Sequence, residues 1–120
     1  MVLPLNHNRS REPQEFNVLL LEAIDESIGQ LLSAQVLEEL YVVLREHYGI
    51  TRDELPYRIE TLYQLLKELF GVNGGETISR NIARRLYEKL GLQFEPSPAL
   101  VIQEYVEIAK NKLNQVSRSG

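Results

Sequence analysis

Two histidines, one glycine-rich step and a cluster of basic side chains are where this chain offers reactive or charge-bearing groups. Neither His7 nor His47 stands three or four positions from another imidazole or inside an HExxH pattern, so neither has the ligand cluster that a metal requires. His47 shares a predicted helix face with Leu40, Val43 and Leu44, close to a helix C-terminus that favours an imidazolium. It reads as a boundary or core histidine with a satisfied hydrogen bond, ahead of a proton switch. Asn73-Gly74-Gly75 precedes a predicted helix N-terminus, where free amides can hold an anion. No strand leads into it and no P-loop lysine follows, so it reads as a turn containing one left-handed glycine. The adjacent carboxylates Asp25/Glu26, Glu38/Glu39 and Asp53/Glu54 diverge on a helix and read as solvated surface. No catalytic residue, cofactor site or metal ligand is assigned, and a non-enzymatic protein is expected.

The strongest candidate for a contact surface is basic. Residues 76 to 90 carry Arg80, Arg84, Arg85 and Lys89 against Glu76 and Glu88, whereas residues 12 to 68 carry twelve acids and four bases. On a helix, Arg80, Arg84 and Glu88 form one row and Arg85 and Lys89 another. Guanidinium groups suit bidentate contact with carboxylate or phosphate. Structural or solvated roles, through an Arg84–Glu88 pair along the helix or pairing with the acidic first half of the chain, are the leading reading, followed by an acidic protein partner and then by nucleic acid. The formal net charge of −4 weighs against phosphate binding.

The elements that position these residues are helical throughout. Apolar spacing predicts a first helix over about 15–32, widened by Val18, Leu21 and Leu32, and a second starting after an N-cap at Ser33. Gly49 stops the second helix, and Thr51 and Glu54 have capping-box spacing between the apolar pair Ile50 and Leu55. A third helix is expected from Pro56 to Phe70, ended by Gly71 and Asn73-Gly74-Gly75, and a fourth from about Glu76 to Leu90. Ser97-Pro98 would open a fifth, on which Ile102, Val106, Ala109 and Leu113 recur at steps of three and four. That stripe reads first as closing the chain's own bundle and second as the seam of a homodimer.

The expected organisation is an all-α, compact bundle of about five helices: a flexible arm over 1–14, one domain over 15–116 with 98–116 as its last helix, and a tail over 117–120. Its core should include Leu20, Ile24, Leu40, Leu44, Leu62, Leu66, Ile82 and Leu86. At 120 residues, with 43% hydrophobic and 25% charged residues, the chain has the proportions of a single globular domain. No apolar run approaches the roughly 20 residues that span a bilayer, and the absence of cysteine fits a reducing compartment. A cytoplasmic protein without a membrane role is therefore expected.

The segments Phe16–Glu26, Tyr48-Gly49-Ile50 with Glu54-Leu55-Pro56, Glu68–Gly71 and Arg85–Gly91 occur in an order that resembles the archaeal Nitrosopumilus output domain family, fifth type. The resemblance covers about residues 16–91. It implies a helical output or interaction element in archaeal signalling, with no catalytic residues to carry over. The leading functional expectation is accordingly a non-catalytic module with an unidentified protein partner, and the alternative is a DNA- or RNA-binding regulator that reads with helix four and touches phosphate through Arg9 and Arg11.

Overall fold

Pro13 opens α1 (Pro13–Leu31) at the position where a fixed φ helps and a missing amide hydrogen costs nothing. The computed structural model describes residues 13–119, and every regular element among them is helical. The predicted arm through residue 12, with His7, Arg9 and Arg11, lies outside the described residues, as does Gly120. Pro13 and Gln14, assigned to that arm, belong to α1.

The junctions of the first half follow the capping chemistry. Ser33 Oγ accepts the Val36 amide at 3.0 Å and starts α2 (Ala34–Tyr48). Gly49, at φ 66°, ends it by donating to Arg45 O at 3.1 Å, and Ile50 donates to Leu44 O at 3.0 Å. The turn that follows is a 3₁₀ helix, η1 (Arg52–Tyr57), in which Glu54 Oε1 accepts the Thr51 amide at 2.9 Å. Ile50 and Leu55, 1% and 0% exposed, pack beneath it.

Two expected boundaries move. Pro56 is buried inside η1, so the next long helix starts at Ile59 instead. The third and fourth predicted helices form one element, α3 (Ile59–Leu90), broken only at Gly71 (φ 82°, ψ 165°) in a region that essentially only glycine occupies. Asn73-Gly74-Gly75 neither ends a helix nor contains a left-handed residue; it lies in the first turn of the second limb, 72–90. Gly75 serves close approach, because a Cβ there would stand 2.7 Å from the backbone N and Cα of Lys67. The two limbs therefore cross almost in backbone contact.

Gly91 (φ 73°) closes α3. The last helix, α4 (Ile102–Ser119), begins later than Ser97-Pro98 and runs through most of the expected tail. Ser97 builds a turn instead: its carbonyl accepts the Leu100 amide at 3.2 Å, and its own amide donates to Tyr105 Oη at 2.8 Å. Glu104 Oε1 accepts the Val101 amide at 2.9 Å and so caps α4. Phe94 locks the connection by standing edge-on to Tyr87 at 5.3 Å and tilted against Tyr105 at 5.0 Å, between ring centroids.

All eight expected core residues are at most 3% exposed. α1 packs against α2, η1 and α3, and α4 packs against α3. Ile102, Val106, Ala109 and Leu113 are 2%, 4%, 0% and 5% exposed within this single chain, so the stripe closes the chain's own bundle, the first of its two readings, and is covered without a second copy. Helical spacing on the third predicted helix also turns Leu69 inward with Leu62 and Leu66, but Leu69, two residues before the break at Gly71, is 51% exposed. No described helix is long and apolar enough to cross a membrane.

Candidate functional site

α1 carries Glu15, Glu22, Asp25 and Glu26 and no base, which makes it the acidic template of the fold. The second limb of α3 lies against it and delivers one of its two basic rows there. Lys89 Nζ lies 3.0 Å from Glu26 Oε2 and 3.4 Å from Glu22 Oε1, and Arg85 Nη1 lies 3.5 Å from Glu26 Oε1. Arg85 Nη2 also donates to Gln30 Oε1 at 2.8 Å. The hydrogen bond from Lys89 to Glu26 holds its ammonium above the usual lysine range, against a smaller opposing desolvation.

Asp25 does a different job from its neighbour. It accepts from Tyr41 Oη of α2 and from Arg52 Nη2 of η1, the latter at 2.6 Å. Burial, and then the bond to Asp25, push the Tyr41 phenol upward. Asp25 and Glu26 are thus working contacts on two sides of α1, a correction to their reading as free surface. Their partners lie 16 and 63 residues away, out of reach of any local pattern.

Arg80 and Arg84 are placed otherwise. Among the described residues neither has a carboxylate within ion-pair distance, and Arg84 and Glu88 do not pair along the helix. Both arginines line an open groove with Asn81 and Glu88, whose far wall is made by Leu92, Phe94 and Pro96. A second, more apolar depression lies at the other end of the limb, between Leu31, Leu32, Phe70 and Ile78. Thr77 borders both, so the two depressions share one outward helix face. The basic cluster read from the sequence is therefore split, with Arg85 and Lys89 turned to α1, Arg84 exposed in the groove, and Arg80 half-buried between that groove and a small cleft lined by Tyr63, Glu76 and Ser79. Arg80, Arg84 and Glu88 were legible as a row at four-residue spacing, whereas Thr77 and Asn81 were not singled out; the apolar ends come from α1, Phe70 and the Leu92–Pro96 connection, and no local signal marks them.

Two further tyrosines tie helical segments together. Tyr63 Oη donates to Glu76 Oε2 at 3.2 Å beneath the Lys67 ammonium, which sits 4.3 Å from the Tyr63 ring centroid. Tyr87 Oη donates to Tyr105 O at 2.7 Å and ties α3 to α4. Burial raises the phenol of Tyr87, and burial followed by the Glu76 charge raises that of Tyr63. His47, expected at the core boundary with a satisfied bond, is exposed, because Gly49 turns the chain and Ile50 takes the buried place. Among the described residues no group of three His, Cys, Asp or Glu side chains is arranged to hold a metal. Comparison with protein-family models, curated proteins and solved structures gave no match.

Proposed function

We propose that the chain is a non-catalytic helical interaction module that presents the outer face of the second α3 limb to a protein partner. The observation that carries this reading is the division of the basic rows. Arg85 and Lys89 are neutralised on α1, while Arg80 and Arg84 face an open groove with apolar walls. Guanidinium groups with no ion pair among the described residues, set beside exposed apolar surface, supply charge matching and burial, the two ingredients of a protein interface. A nucleic-acid role draws less support, because Arg80 and Arg84 offer few phosphate contacts to a chain of net charge −4. An output role in archaeal signalling, which the family resemblance implies, rests on the quoted segments alone.

Photo-crosslinking in the native host tests the reading. A crosslinking side chain at Thr77, in the groove, should trap a specific protein, whereas one at Glu38 on the outer face of α2 should not. A host in which neither position traps a protein, or a pocket-dependent turnover found on broad substrate profiling and abolished by Arg80→Gln, would overturn the proposal.

A further inference from the structure

The outward face of the second α3 limb has the layout of a helix-docking seam. Gly74, Thr77, Asn81, Arg84 and Glu88 follow one another at steps of three, four, three and four, which keeps them on one side of the helix. From Gly74 to Glu88 the seam is about 21 Å long, roughly four turns. Its first half bears small side chains, which let another backbone come close. Its middle bears Arg80 and Arg84, and its ends open onto the apolar depressions at Leu31, Leu32 and Phe70 and at Leu92, Phe94 and Pro96.

We infer that this seam binds an amphipathic helix of a partner protein, apolar at both ends and acidic at its centre. The inference rests on the interaction-module reading and names the partner's chemistry. Charge complementarity selects carboxylates opposite Arg80 and Arg84. Glu88, one turn beyond Arg84, selects a lysine or arginine at that end, so the charge order acid-acid-base also fixes the direction in which the helix lies. A second copy of this chain is a poor occupant. Glu22, Asp25 and Glu26 of α1 are engaged with Lys89, Arg85 and Arg52, and the apolar stripe of α4 is buried. α2 offers Glu38, Glu39 and Glu46, but its exposed large apolar side chains, Val42 and Tyr48, both stand in its second half, about 9 Å apart along the helix, and do not reach both ends of a seam of about 21 Å.

Selection from a displayed library tests this, using helices of about sixteen residues, long enough to cover four turns, with randomised facing positions and the folded full-length chain as bait. The expected winners carry two central acids, a base one turn on, and apolar residues at both ends. Their affinity should fall at least about tenfold for Arg80→Glu/Arg84→Glu, and a peptide with its acids changed to lysine should recover binding to that variant. Thr77→Trp, which fills the seam without altering charge, should also abolish binding while helical circular dichroism stays unchanged. Winners without central acids, winners indifferent to these substitutions, or no enrichment would overturn the seam. Duplex DNA that shifts at low salt and is lost with Arg84→Glu, or a solution dimer dissolved by Arg84→Glu, would overturn the occupant. Failure of the library with a persisting Thr77 crosslink sinks the helix-docking seam and leaves the interaction module standing.

Discussion

The Asp25 carboxylate bonds to Tyr41 and Arg52 and so connects α1 with α2 and η1. Tyr41, Tyr63 and Tyr87 all have phenols raised above 10.0 in the folded chain. The unfolded chain therefore loses these protons at lower pH than the folded one, and the slope of stability with pH is negative. Their contribution is fully present below about pH 10, the unfolded tyrosine value, and is lost as pH rises through the folded values. Urea midpoints should accordingly fall above that pH, and Tyr41→Phe should flatten the decline while lowering stability at neutral pH by about 1 kcal/mol. An unchanged alkaline slope in Tyr41→Phe would remove this residue from the account. Ser27 is the opposite case: the residue is 0% exposed and its hydroxyl has no hydrogen-bond partner among the described residues. Ser27→Ala removes a stranded polar atom and improves helix propensity, so it should raise stability by about 1 kcal/mol in denaturant titrations. A loss of stability would mean that the hydroxyl is satisfied in solution. Such pairings were illegible in the sequence, where Asp25 and Glu26 look alike.

At the scale of elements, the capped junctions were the legible part. Ser33, Gly49 and the Thr51–Glu54 step act through neighbours no more than a few residues away, and each occurs where the residue types placed it. The bend of α3 was only half legible: a cluster of glycines marked a break, but local pattern could not divide the labour among them. Gly71 supplies the backbone conformation, and Gly75 supplies space against Lys67 from a limb that arrives only on folding. The two roles predict different consequences. Gly71→Ala meets no neighbouring atom and should cost about 1–3 kcal/mol through backbone strain alone. Gly75→Ala forces the limbs apart, should cost a similar 1–3 kcal/mol or more, and should also perturb the amide resonances of residues 66–68. A Gly75→Ala chain with wild-type stability and an undisturbed spectrum at those residues would contradict the close crossing.

For the whole molecule, the stripe on α4 decides what kind of surface the chain can show. Periodicity identified Ile102, Val106, Ala109 and Leu113 as one apolar face but carried no information on whether that face closes this chain or joins two, since both arrangements demand the same spacing. The folded chain buries the face against α3, and Tyr87 and Phe94 clamp the connection that brings it there. The two arrangements separate under one substitution. At a dimer seam, Ala109→Arg would place a charge where the separated subunit meets water, yielding a folded monomer. In the intrachain core, at 0% exposure, the same arginine has no solvent and no partner, and the loss should be severe. The expected outcome is a wild-type chain that sediments at its single-chain mass of 13.8 kDa and an Ala109→Arg chain that loses cooperative unfolding. Leu113→Ala, gentler on folding, should lower stability by about 2–5 kcal/mol without changing the mass. A wild-type dimer converted by Ala109→Arg into a stable, cooperatively folded monomer would return α4 to the surface and overturn the packing on which the outer face of α3 depends.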